Sequence, residues 1–308
     1  MHTLAEPIQI EHNAEIPTWF GVGGRADRLV RPANVAQLRR CIELDPSARI
    51  LGDGANLLVD DEGVVELVVA FSERDLCKWW FDGPKGDEPG VVGAMAGANL
   101  PRLILDACRR GRSGLEGLGG IPATVGGAAR MNAGGSFGEF AGAVRAVHAI
   151  DRAGRDVRLT REQAGFGYRQ SALAELIIVW VELELGEDDP LKLRARLKEV
   201  MEYKKRSQPM AERSAGCVFK NPTLLSDLPD IASAGTRVSA GMLIDRAGCK
   251  GLGIGGAIVS DRHANFVVTS DGAGARDVIE LIDEVKRRVH DTYGVTLEPE
   301  VVVWRRDA

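Results

Sequence analysis

The residues of this 308-residue chain best suited to chemistry begin with a glycine-rich stretch, Gly114 to Gly138, reading GLEGLGGIPATVGGAARMNAGGSFG. Nine of its 25 residues are glycine, and no charge falls between Glu116 and Arg130, so it reads neither as a long helix nor as an ordinary hydrated linker. Glycine serves where the backbone takes positive φ or comes close to a ligand. Successive N–H groups in such a loop form a nest for an anion, so a phosphate-bearing ligand is the first chemistry suggested. The alternative is a tight connector, but Ile121, Pro122, Val125 and Met131 among the glycines mark the stretch as packed.

Two familiar nucleotide signatures fail. Gly251 to Gly256 satisfies G-x-G-x-x-G, which binds a dinucleotide only between a strand and a helix N-terminus. Here Arg246 to Lys250 is no strand, and Ala257-Ile258-Val259 reads as extended. No G-x-x-x-x-G-K-[ST] occurs, which removes a P-loop. The five cysteines, Cys41, Cys77, Cys108, Cys217 and Cys249, are widely spaced without a C-x-x-C pair, so neither a disulfide framework nor a metal site is expected.

Bulk properties narrow the partners. The length allows two or three domains with real cores. A net charge of -5 and a pI near 5.7 argue against a nucleic-acid surface, which needs clustered Lys and Arg. The N-terminal residues carry Glu6, Glu11 and Glu15 without an apolar signal region, and no run approaches the ~18 apolar residues of a membrane span. The expectation is a cytoplasmic protein without membrane insertion, acting as a monomer, with a dimer as the alternative.

The elements that must position a site follow from periodicity. A turn at Gly23-Gly24 leads into a short strand, and Asn34 caps a helix to Leu44 with Val35, Leu38 and Ile42 on one face. Ile50-Leu51, the turn Gly52 to Asn56, Leu57-Leu58-Val59 and a strand Val64 to Phe71 follow. Trp79 to Gly90 reads as a surface loop whose tryptophans pack locally. Val91 to Met95 is a strand, and Leu100 to Arg110 a helix with Cys108 as a core thiol. Val144 to Ile150 and Arg155 to Leu159 form a hairpin, Thr160 caps a turn, and Ile177 to Leu185 is a strand with Glu182, Glu184 and Glu187 on its exposed side and end. Pro190 to Ser207 is an amphipathic helix on Leu193, Leu197, Val200 and Met201, with a domain boundary near residues 200 to 210. A last helix spans Ala275 to Tyr293, and Val295 to Trp304 is a strand interrupted by Pro299.

Six phrases, GDGANLLV (52–59), GLGGIPATVGGAARMNAGG (117–135), GYRQS (167–171), SAGCVFKNP (214–222), SAGMLIDRAGCKGLGIGGAIVSDRHANFVV (239–268) and LEPEV (297–301), together resemble the UDP-N-acetylenolpyruvoylglucosamine reductase family. The resemblance runs from about Thr18 to Val301, and it is to the shorter form, which lacks an inserted loop and its substrate-contacting tyrosine. It implies an α+β fold: a two-subdomain FAD-binding fold of the vanillyl-alcohol-oxidase (PCMH) type plus a C-terminal α+β substrate-binding domain. The implied boundaries are residues 1–85 and 86–205 for the two FAD-binding subdomains, 206–294 for the substrate-binding domain, and 295–308 for a C-terminal strand returning to the FAD site.

The resemblance also implies the chemistry. NADPH would reduce FAD, whose N5 passes a hydride to C3 of an enolpyruvyl ether on a UDP-sugar, and a proton then reaches C2. Negative charge builds on the neighbouring carboxylate as an enolate, where cations or hydrogen-bond donors lower the barrier. Arg169 matches the arginine for that task, Glu300 the carboxylate beside the intermediate, and Cys217 the proton donor, a position where the family more commonly has serine. A thiol of ordinary pKa, about 8.5, is mostly protonated at neutral pH and more acidic than an alcohol, at the cost of sensitivity to oxidation. Taken singly, Arg169 reads equally as a surface ion-pair residue, Cys217 as a core residue and Glu300 as a charge at a strand end.

For FAD the implied contacts are Gly52, Gly54, Ala55, Asn56, Leu57, Gly119, Ile121, Pro122, Thr124, Val125, Gly126, Gly127, Asn132 and Gly134, with Ile121 to Ala128 over the pyrophosphate. Asp53, Ala55 and Ala123 depart from the usual residues there. For the UDP-sugar they are Tyr168, Lys220, Asn221, Ser239, Arg246, Lys250, His263 and Asn265, of which His263 serves a turn as readily as a ligand. Two rival readings are a sugar-lactone-type flavin oxidase of the same fold and a catalytically inactive nucleotide-sugar binding protein.

Overall fold

The computed structural model describes residues 8–306 except 73, 84 and 85. The contacts divide the chain into two compact units, each with its own core: residues 1–14, 26–53 and 66–204 in the first, and 15–25, 54–65 and 205–308 in the second. One division lies beside Lys204, and two short N-terminal stretches belong to the second unit.

The first unit is built on two larger sheets, with two short two-stranded pairings beside them among the described residues. A four-stranded sheet has the order Ile10–Glu15, Arg25–Val30, Val64–Ala70, Arg49–Leu51, the last pair being parallel. Helix α1, Val35–Leu44, starts where expected because the Asn34 side chain accepts the Gln37 N–H at 3.0 Å, and it buries Leu38, Cys41 and Ile42. The second sheet is five-stranded and antiparallel, in the order Asp156–Thr160, Val144–Ile150, Ile177–Glu184, Val91–Met95, Trp79–Phe81. Helix α2, Leu100–Arg109, is capped by Asn99 and carries Cys108 fully into the core, where burial, with Glu116 adding to it, pushes the thiol up to about 11. Helix α3, Val125–Met131, packs on the Ile177–Glu184 strand. Helix α4, Pro190–Ser207, closes the unit.

Three expectations are corrected within this unit. Trp79–Phe81 is a strand paired with Val92 to Ala94, not loop, and its indoles are anchored: Trp79 Nε1 donates to Asp106 at 2.9 Å and Trp80 leans on Trp180. The rest of that expected loop includes residues 84 and 85, outside the described residues. Glu182 is not on an exposed side, since its side chain is only 13% exposed and lies between His148 at 2.5 Å and Arg158 at 3.5 Å. On α4 the expected core residue Met201 is exposed while Lys204 is buried, because the buried face runs through Leu193, Leu197 and Val200 to 204. The glycine stretch, read as no long helix, carries only the seven-residue α3.

The second unit is built on helix α6, Ala275–Tyr293, whose Val278, Leu281, Ile282, Val285 and Val289 fill its core with Leu243, Ile244 and Phe20. Both oxygens of Asp61 accept from the first turn of α6, from Ala275 N at 2.7 Å and Arg276 N at 2.9 Å. Helix α5, Ala240–Arg246, precedes a three-stranded sheet, Gly253–Ile254, Ala257–Val259 and Val267–Thr269. The failed dinucleotide fingerprint therefore turns into a hairpin, with Gly253 opposite Ile258. The C-terminal strand is only Val302–Trp304, shorter than expected, and pairs in parallel with Leu57–Val59. No helix among the described residues is long and apolar enough to cross a membrane.

Candidate active site

In the first unit, the glycine stretch places its unpaired donors before α3 rather than on it. The first four amides of α3 are all satisfied: Val125 N–H donates to Ala98 O, Gly126 to Ala96 O, Gly127 to Thr124 Oγ1 and Ala128 to Thr124 O. The amides of Gly120, Ala123 and Thr124 donate to no protein acceptor among the described residues. Buried or half-buried N–H groups normally find partners, so this loop offers a set of donors to an anion. A Cβ at Gly52 would lie 2.8 Å from Thr124 Oγ1, so only glycine lets the 52 turn approach this loop. The donor set of residues 120–124 fits a phosphate-bearing cofactor.

Arg169 sits in the same unit on a tight turn closed by Gly167 N–H to Gln170 O at 3.0 Å. Its φ of +55° is left-handed, which a residue with a Cβ adopts only when its surroundings hold it there. Its Nη2 donates to Gly134 O at 2.7 Å, and its guanidinium lies 5.1 Å from the centre of the Tyr168 ring. Tyr168, expected at the UDP-sugar, thus carries the arginine.

The second unit brings Cys217 and Glu300 onto neighbouring backbone. Glu300 N–H donates to Val218 O at 2.7 Å, and Lys220 N–H to Glu298 O at 2.9 Å. Cys217 is half-buried and bridges to Phe266. Asn265, 3% exposed, holds this segment with three bonds: its O accepts Val218 N–H at 2.8 Å, its Oδ1 accepts Phe219 N–H at 2.9 Å, and its Nδ2 donates to Phe219 O at 2.8 Å. Asn56 does the same for the other strand, with Nδ2 donating to Glu300 O at 3.1 Å and its O accepting Val302 N–H at 3.0 Å. Both amides, expected to face ligands, bond to the segments that carry Cys217 and Glu300. Gly54, at φ +65°, would drive a Cβ to 2.2 Å from Pro17 O, so this turn too requires glycine.

Most of the expected UDP-sugar residues have partners in the protein. Ser239 caps α5 by accepting Met242 N–H at 3.2 Å, and Asn221 Oδ1 accepts Ala240 N–H at 2.9 Å. Lys220 Nζ meets Glu298 at 2.6 Å and Lys250 Nζ meets Asp245 at 2.7 Å, while Arg246 donates to Asp230 O at 3.4 Å. Glu298 escaped the sequence reading although it stands in the same phrase as Glu300. Its carboxylate is 71% exposed, so its pairing with Lys220 is weak and exchangeable.

His263 Nδ1 accepts Asn265 N–H at 3.2 Å, which requires a neutral ring, and its edge meets Phe266. Burial holds its pKa below the ordinary histidine value, with Lys250 adding to the effect. The unfolded ring takes its proton near 6.5 and the folded ring resists, so acid favours unfolding. Stability is expected to fall as pH drops below about 6.5, and a His263→Gln variant to lose less over the same range. Denaturant midpoints at pH 8 and pH 5.5 check this; parallel losses in the two proteins contradict it.

Comparison with known proteins decides the family. The profile of an FAD binding domain matches residues 26–160, and that of the UDP-N-acetylenolpyruvoylglucosamine reductase C-terminal domain matches 208–304. The reductase of Thermus thermophilus is 42% identical over 289 residues, covering 92% of this chain and 95% of its own. The chain belongs to the UDP-N-acetylenolpyruvoylglucosamine reductase family. A second reductase, from Desulfosudis oleivorans, is 39% identical over 301 residues, with 93% and 91% covered. The crystal structure of the Thermus caldophilus reductase superposes with a TM-score of 0.78 at 40% identity, over 97% of this chain and all of that one. The α+β fold with an FAD binding domain followed by the reductase C-terminal domain is therefore that of the reductase family.

Proposed function

We propose that this chain reduces UDP-N-acetylglucosamine enolpyruvate to UDP-N-acetylmuramate in peptidoglycan precursor synthesis, in the cytoplasm, with FAD as cofactor and NADPH as reductant. The observation that supports this reading is the backbone bond from Glu300 N–H to Val218 O at 2.7 Å, which in a member of the reductase family joins the segments that carry Glu300 and Cys217. Residues 1–85 and 86–205 are the cofactor-binding subdomains in this reading, and 206–294 binds the UDP-sugar.

Bound FAD supplies the hydride that adds to C3 of the vinyl group. The amides of Gly120, Ala123 and Thr124, with Gly52 close to Thr124, would hold a phosphate of the cofactor through a backbone nest. Arg169, fixed over Gly134 O, stabilises the enolate that develops on the substrate carboxylate. Glu300 stands beside that charge, protonated or hydrogen-bonded so that it assists rather than repels. The Cys217 thiol gives its proton to C2, which completes the saturated lactyl ether, and the thiolate recovers a proton from solvent. Lys220, Arg246 and Lys250 supply cations for the diphosphate.

Purified protein is expected to be yellow, with a flavin absorbance band. Colourless protein that cannot be reconstituted with FAD would overturn the reading.

A further inference from the structure

We propose that Asn132 is the positioning residue for Arg169, an inference that rests on the catalytic reading of Arg169 above. Asn132 is 1% exposed and ends α3 in the left-handed conformation, at φ +43°. Both N–H donors of its side-chain amide, and its oxygen, are engaged inside the protein. Oδ1 accepts Ala141 N–H at 3.0 Å, and Nδ2 donates to Gly167 O at 2.9 Å and to Glu139 Oε2 at 3.2 Å. It has no donor left for a cofactor, which separates it from the cofactor contacts among which the sequence placed it.

What those bonds hold is the arginine. Gly167 O, held by Asn132, is also the acceptor for Gln170 N–H at 3.4 Å, the longer of the two bonds that close the Tyr168-Arg169 turn. The left-handed backbone at 132 sends the chain on to Gly134, whose carbonyl receives the Arg169 guanidinium at 2.7 Å. One residue thus sets both the strained backbone of Arg169 and the point where its side chain is tethered. A buried amide is worth its bonds only while both partners remain, and here its partners come from two segments, Glu139 to Ala141 and the turn at Gly167.

Asn132→Gly tests this without breaking the cap, since glycine is the residue best suited to a left-handed helix end. The variant is expected to fold, bind FAD and accept electrons from NADPH as the unaltered holoenzyme does. Its turnover of the enolpyruvyl substrate falls by about 10²-fold, the cost of an ångström of misplacement. In the Asn132→Gly, Arg169→Met double variant turnover falls no further than in Arg169→Met alone. Hydrogen exchange at Gly167 and Gln170 quickens while that of α3 does not. Equal losses in flavin reduction and substrate turnover, additive losses in the double variant, or unchanged exchange at 167 and 170 would overturn the inference. If the unaltered protein is itself inactive toward the enolpyruvyl substrate, the functional reading fails instead, and the exchange experiment still decides whether Asn132 holds the turn.

Discussion

Replacing Cys217 with alanine lowers turnover of the enolpyruvyl substrate by about 10²–10⁴-fold, the range that one positioned general acid contributes, while NADPH continues to reduce the bound flavin. The placement of residue 217 comes from backbone: Val218 and Phe219 are pinned by Asn265, and Glu300 N–H is pinned to Val218 O. Alanine preserves every one of these backbone bonds and removes the thiol. Cys217→Ser keeps an O–H at the same place and retains substantial turnover. The buried thiols cannot substitute, because Cys41 and Cys108 lie in the apolar core, where burial pushes each up to about 11. Rapid-mixing measurements of the two half-reactions separate the outcomes, and an alanine variant that consumes substrate at the unaltered rate would remove Cys217 from the mechanism.

Arg169→Met is expected to cost about 10²–10³ in turnover, as loss of one preorganised donor to a developing oxyanion does. Arg169→Lys should rescue little of this, because the ammonium cannot reproduce the planar fork that both reaches Gly134 O and lies against Tyr168. Substrate binding should change far less than turnover, since the charge to be stabilised exists only as the hydride adds. A variant with raised KM and unchanged kcat would make Arg169 a binding residue instead.

Much of the scaffold was legible because its signals are local. Asn34 and the 3.6-residue stripe located α1, and the stripe Val278, Ile282, Val285, Val289 gave α6 its bounds. The strand Trp79–Phe81 was hidden because three residues carry no period, and its hydrogen bonds come from Val91–Met95. Helix α3 was hidden by its glycines; its first turn is stabilised from outside, by Ala96 and Ala98 carbonyls. The parallel pairing of Val302–Trp304 with Leu57–Val59 joins segments some 245 residues apart, for which the chain offers no local cue.

The site divides along the same line. Arg169, Cys217 and Glu300 stand in phrases long enough to identify by residue type. The asparagines do not declare their roles, because an amide donates to a ligand or to a backbone carbonyl with the same atoms. Only the fold shows that Asn56, Asn132 and Asn265 spend theirs on the protein.

The central claim is tested most directly by following NADPH oxidation with and without UDP-N-acetylglucosamine enolpyruvate, with mass analysis of the product. The account predicts oxidation that depends on the enolpyruvyl substrate and a product heavier by two hydrogens, UDP-N-acetylmuramate. Rapid reoxidation of the reduced protein by oxygen, with no requirement for the enolpyruvyl acceptor and no such product, would contradict it.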